Sequence, residues 1–228
     1  MEWREADLMH THKLNKEYML KEAEKFGFFC VIIGFKLIII SREVTDMSKV
    51  LIFMAEGHEE IEALTVVDIL RRADIEIDMV SITGNKKVPG AHGITTYCDK
   101  LIENTDFEKA DMIVLPGGMP GTLNLGLCEP LMDQIHGFNT SKKGLAAICA
   151  APTVFGKAGL LEGKKATCYP GMEGDLLGAN VSTDSVCHDG HIITSRGMGT
   201  AIPFALEIVK TFKGEEAANQ LAKGIVYN

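Results

Sequence analysis

No C-x-x-C pair occurs among the six cysteines of this 228-residue chain, which are Cys30, Cys98, Cys128, Cys149, Cys168 and Cys187. That absence excludes zinc-ribbon and thioredoxin-type sites. A chain of this length can fold without disulfide staples, so free thiols in a reducing, cytoplasmic compartment are expected. No basic block is present either: 23 Lys and Arg stand against 31 Asp and Glu, a net charge of -8, which argues against a nucleic-acid partner. Neither G-x-G-x-x-G nor a P-loop Lys-Ser/Thr step appears, and no cofactor is implied. Internal repeats and low-complexity linkers are also missing. What remains is ordinary globular composition, 46% hydrophobic and 24% charged, of one domain's length or one domain plus an appendage.

Residues 1–46 read differently from the rest. Met1–Lys25 is polar and charge-mixed, and Phe26–Ile40 (FGFFCVIIGFKLIII) is an apolar run interrupted by Lys36. The run is shorter than the ~20 residues of a membrane span, and charges of both signs before it do not fit a secretory signal. From Met47, MSKVLIFMAEG reads as a natural start leading into a strand. The expected organisation is therefore an appendage over 1–46, from an over-extended start, and a single domain over 47–228; a membrane-anchoring role is the lesser reading. The appendage holds 7 basic and 8 acidic residues, leaving 16 and 23 to the domain, which carries the acidity.

Beyond Lys49, short apolar runs alternate with helical patterns. Strands are predicted over 49–54, 75–82, 94–97, 111–115, 144–148 and 164–168, and a hairpin over 181–195 turns at Asp189-Gly190. Helices are predicted over 59–73, 129–138, from Cys149 to 158, 200–212 and 215–223. In the first of these, Ile61, Leu64, Val67 and Leu70 recur at three-residue steps along one face. This alternation predicts an α/β fold with a mostly parallel sheet covered on both faces. Ligands in such sheets bind beyond the carboxyl ends of the strands, here after Met54, Leu115 and Ile148.

Cys149-Ala150-Ala151-Pro152 follows the strand ending at Ile148, and small residues around a nucleophile-type side chain resemble a nucleophile elbow. A helix N-terminus there favours thiolate and predicts a depressed thiol pKa. The other five cysteines read as small buried hydrophobes. Pro116-Gly117-Gly118-Met119-Pro120-Gly121 follows Leu115; its glycines suit an oxyanion hole, a phosphate cradle or a plain turn. Ala55-Glu56-Gly57-His58-Glu59-Glu60-Ile61-Glu62 follows Met54. Glu59 and Glu60 read as complements to a helix dipole, while Glu62 projects from the same sheet edge and could exchange a proton with a thiol. His188 and His191 flank the hairpin turn without a carboxylate or cysteine cluster of metal-binding spacing, so no metal site is assigned.

Together AEGHEEIEAL, the VLPGG turn, AAICAAP and ITSRGMGT resemble the ThiJ/PfpI superfamily, closest to its DJ-one branch, that of the Parkinson disease deglycase and its bacterial-type relatives. The resemblance spans about Lys49–Lys223. It implies a flavodoxin-like α/β sandwich that forms homodimers, with Cys149 as nucleophile, Glu62 as its acid/base partner, and backbone donors from Gly117 and Gly118, alongside the elbow amide of Ala150. The family's His-Pro step is Tyr169-Pro170 here, so a Cys-His dyad does not carry over. An arginine that often flanks the pocket corresponds to His92, which reads as a solvated loop residue.

The implied activity is cofactor-independent and cysteine-dependent: hydration of methylglyoxal or glyoxal in the manner of glyoxalase III, or deglycation of early adducts on proteins or nucleotides. The alternative is a redox-sensing or chaperone-like stress protein using the same oxidisable thiol. Protease activity is disfavoured because Ala150, not histidine, follows Cys149. Thiazole phosphate chemistry has no supporting motif.

Overall fold

Hydrophobic runs with β-branched residues become strands, and the polar-apolar mixtures between them become helices. The computed structural model describes residues 28–33, 36–41 and 48–227. The chain falls into two units, 1–47 and 48–228. Of the first, β1 (Phe28–Ile33) and β2 (Lys36–Ser41) pair antiparallel as a hairpin. The described part of the apolar run is thus strand. The polar stretch before it lies outside the described residues. Among the described residues no helix is long and apolar enough to cross a membrane.

The second unit carries β3 (Lys49–Met54), α1 (Glu60–Arg72), β4 (Glu76–Ser81), β5 (Lys87–Pro89), β6 (Thr95–Tyr97), β7 (Lys100–Leu101) and β8 (Met112–Leu115). Then come α2 (Gly121–Leu127), α3 (Glu129–Ser141), β9 (Gly144–Ile148), α4 (Pro152–Lys157), β10 (Lys165–Ala166) and β11 (Asn180–Val181). β12 (Val186–Asp189), β13 (Ile192–Ser195), α5 (Ala201–Lys213) and α6 (Glu215–Gly224) close the chain. The central sheet has seven strands in the order β12-β13-β9-β8-β3-β4-β7. All neighbours are parallel except the β12–β13 hairpin. This is the flavodoxin-like arrangement expected.

Side chains alternate across a strand, and the core divides accordingly. Val50, Ile52 and Met54 face a layer with Val66, Leu70, Phe204 and Ile208 of α1 and α5. Leu51 and Phe53 face the opposite layer with Leu131, Ile135 and Phe155 of α3 and α4. Both faces are therefore sealed, which makes the strands nearly continuous in apolar residues.

Three expectations change. The predicted strand over 164–168 shrinks to β10, which pairs with β11 outside the main sheet, because Thr167 N–H donates to the Thr194 hydroxyl instead of joining a ladder. Helix α2 was not predicted, since its sequence GTLNLGL carries two glycines and little periodicity. The α1 stripe does not share one face: Val67 and Leu70 are buried, but Ile61 is 51% and Leu64 39% exposed. Steps of three fall short of the 3.6-residue turn, so such a stripe rotates steadily round the helix.

Candidate active site

β3, β8 and β9 are adjacent in the sheet, so the segments after Met54, Leu115 and Ile148 emerge side by side at its carboxyl edge. Cys149 leaves β9 at φ 64, a left-handed conformation that costs a non-glycine residue about 1–2 kcal/mol. It is pinned from both sides: its N–H donates to Ser195 O at 2.9 Å and its carbonyl accepts from Tyr169 N–H at 2.7 Å. The helix does not open at the cysteine, as expected from sequence, but at Pro152 after an Ala150-Ala151 turn. The left-handed residue needs that extra turn before helical geometry can start.

Glu62 comes from α1. Its backbone N–H is capped by Glu59 Oε2 at 2.6 Å, which fixes the first turn. The buried Glu62 carboxyl then accepts from Gly117 N–H at 2.9 Å on Oε2 and from Met198 N–H. It is hydrogen-bonded to the Cys149 thiol. A Cβ on Gly117 would lie 2.6 Å from Cys149 Cβ, 2.7 Å from Glu62 Oε2 and 3.0 Å from Cys149 Sγ. Thiol and carboxyl thus converge on a point that only glycine can border. Gly118, at φ 89, has equally little room, since a Cβ there would fall on the Glu59 amide.

The two groups shift each other. Burial pushes Glu62 up to about 7, against the hydrogen bonds from Cys149 and Gly117, and the Glu59 charge adds to the rise. Burial and the Glu62 carboxylate together push Cys149 up to about 12, opposed by the Ala150 and Gly118 amides. This corrects the depressed thiol expected from helix position alone: desolvation and a facing carboxylate outweigh two amide dipoles. Two like charges this close cannot form together, so the pair releases its first proton near pH 7 and holds the second.

The remaining predicted residues separate. Gly118 and Ala150 present their amides to Cys149 Sγ, whereas Gly117 spends its amide on Glu62. Tyr169 is half-exposed, with its ring against Gly197, where a Cβ would be 3.4 Å from Cδ2. His92 stands away from the pair, its ring exposed and its Nδ1 2.8 Å from Glu60 Oε2. Of the other described cysteines, Cys98, Cys168 and Cys187 are buried and Cys128 partly so, and burial raises the first three thiols. Sequence reading missed Glu59 as the cap that seats Glu62, and Ser195 and Met198 as backbone partners of the pair. Since β13 is the parallel neighbour of β9, the strand-end rule applied to SRGMGT would have found the latter two.

The sheet, its sealed faces and a thiol–carboxyl pair at the strand ends define a flavodoxin-like α/β protein with an elbow cysteine. Within that class, the chain belongs to the DJ-1/PfpI family, whose profile matches residues 48–211. It is 37% identical to Protein dj-1beta of Drosophila melanogaster over 79% of this chain and 98% of that one. With Protein DJ-1 homolog B of Arabidopsis thaliana it shares 39% identity over 80% of this chain, but spans only 42% of that longer relative. It is 31% identical to the glutathione-independent glyoxalase DJR-1.2 of Caenorhabditis elegans, over 77% of this chain and 94% of that one. Among solved structures, oxidized Toxoplasma gondii DJ-1 matches with a TM-score of 0.76 and 35% identity, covering 79% of this chain and 98% of that one.

Proposed function

We propose that the protein is a cofactor-independent dicarbonyl hydratase of the glyoxalase III type, extending to deglycation of early adducts, with Cys149 as nucleophile and Glu62 as general acid/base. The observation that carries this is the convergence of Cys149 Sγ and Glu62 Oε2 about Gly117, with the carboxyl raised to about 7. A carboxyl titrating there both gives and takes protons at neutral pH.

In the proposed reaction the Cys149 sulfur adds to the aldehyde carbon of methylglyoxal and the carbonyl oxygen takes a proton, forming a hemithioacetal. Glu62 removes the proton from that carbon and returns one to the neighbouring carbon, giving a thioester. Water hydrolyses the thioester to lactate and frees the thiol, so the net change is methylglyoxal plus water to lactate. The Gly118 and Ala150 amides, aimed at the sulfur, steady its developing charge. The name of the Caenorhabditis elegans relative favours this class of reaction. Lactate formation from methylglyoxal should be lost by about 1000-fold or more in Cys149→Ser; a variant with near wild-type rate would remove the proposal.

A second reading, a redox-sensing stress protein, draws on the same half-buried thiol and on the oxidized state in which the Toxoplasma gondii relative was solved. It predicts stoichiometric oxidation of Cys149 without turnover, so steady-state kinetics separate the two.

A further inference from the structure

We propose that the site of Cys149 and Glu62 is shaped for 2-oxoaldehydes carrying an aromatic or similarly bulky apolar substituent, which lies against a wall formed by Tyr169, Met198 and Met119. That class of substrate presupposes the dicarbonyl chemistry proposed for the pair. Three loops supply the wall, and each is anchored at the pair through its backbone. Tyr169 N–H donates to Cys149 O at 2.7 Å. Met198 N–H donates to the Glu62 carboxyl. Met119 directly follows Gly118, whose amide faces Cys149 Sγ. All three residues are about half-exposed. Single exposed apolar side chains are ordinary, but three gathered around one reactive pair mark a binding surface.

Covalent geometry directs the substituent to that wall. The Gly118 and Ala150 amides face the sulfur from one side. Gly117 closes another, so near that a Cβ on it would lie 3.0 Å from the sulfur and 2.7 Å from Glu62 Oε2. A carbonyl carbon bonded to Cys149 Sγ must therefore turn the rest of the substrate outward, past Gly197. There a Cβ would meet Tyr169 Cδ2 at 3.4 Å, Tyr169 Cε2 at 3.7 Å and Glu62 Oε1 at 3.9 Å, all ordinary contact distances. Glycine thus leaves a slot roughly one carbon layer wide between the ring and the carboxyl. That is the thickness of an aromatic ring, which packs on tyrosine offset or edge-on, and the flexible thioethers of Met198 and Met119 can adapt to its rim. Among the described residues the Tyr169 ring stacks on no other aromatic. The same addition, proton transfer and hydrolysis convert phenylglyoxal and one water to mandelate and return the free thiol.

The test compares the full chain with Gly197→Ala and Tyr169→Ala. Gly197 sits at φ 164, extended backbone that any residue adopts, so the added methyl fills the slot without strain. Wild type should convert phenylglyoxal with a kcat/KM at least about tenfold above that for methylglyoxal, the low end of what an apolar contact contributes to discrimination. Each variant should erase about tenfold of that preference. A second readout needs no turnover: the rate of Cys149 labelling by 2-bromoacetophenone relative to bromoacetone, followed by mass spectrometry. This ratio should fall by about tenfold in both variants. If neither dicarbonyl is converted and the ratio still falls, the hydratase reading is lost while the apolar wall stands. Equal kcat/KM for two converted dicarbonyls, or a labelling ratio that neither substitution moves, would overturn the wall. So would variants that sediment as a smaller species and slow both substrates alike, since those are the marks of a subunit contact.

Discussion

At the scale of single residues, the chemistry turns on where one proton resides between Glu62 and Cys149. Glu62→Gln retains a hydrogen-bond donor to the sulfur but cannot exchange a proton. It should lower lactate formation from methylglyoxal by about 100-fold or more while Cys149 remains the fastest cysteine to react with limiting iodoacetamide, read by mass spectrometry. Preferential labelling of Cys128 or Cys187 would contradict this. In the wild type, labelling should rise through pH 7 and then level, because the first proton leaves the pair there and the monoanion persists. Stability carries the same signature. Glu62 is raised from 4.5 to about 7 in the fold, so its contribution is complete below pH 4.5 and is lost as pH climbs to 7. A shift of that size is worth about 3 kcal/mol. Unfolding of wild type and Glu62→Gln followed from pH 4 to 8 should diverge in that window, with the wild type losing ground as pH rises; parallel curves would refute a buried, proton-holding Glu62.

Among the elements, α1 does two jobs with two faces. Its inner face delivers Glu62 and packs Val66, Val67 and Leu70 into the core. Its outer face shows Ile61 and Leu64, and Ile94 beside them is 57% exposed; these three share one surface depression with Ile202 and Ile225. If the homodimer that the family resemblance implies forms, this apolar face is where a second copy would pack. Leu64→Glu should shift sedimentation velocity from dimer to monomer with little change in the far-ultraviolet circular dichroism. A wild type that sediments as a monomer at micromolar concentration would dismiss the dimer.

At the scale of the whole molecule, the chain divides near Met47. The family match begins at residue 48, and the division into units falls between Met47 and Ser48. A chain starting at Met47 is expected to express as a folded protein, with a melting temperature within about 2 °C of the full chain and unaltered Cys149 labelling. A drop of several degrees, well beyond the effect of a neutral surface change, would mean that residues 1–46 support the domain.

Strand and helix order was readable in the sequence because burial on both faces writes itself as uninterrupted apolar runs, as in KVLIFM and MIVL. Cys149 and Glu62 stood out for a related reason: strand ends in such sheets collect the chemistry, and both residues sit one short segment beyond a strand. Local pattern could not foresee the short β10 or the weakly periodic α2, each decided by what lies across from it, whereas the outward turn of Ile61 and Leu64 follows from their three-residue steps. The thiol's proton affinity was likewise beyond the sequence. Helix position alone predicted a depressed value, and only the fold, by bringing a carboxyl 87 residues away in sequence into a dry contact with the sulfur, reversed it. The Glu60–His92 ion pair at the start of α1 has the same origin, since residues separated by α1, β4 and β5 meet only in three dimensions.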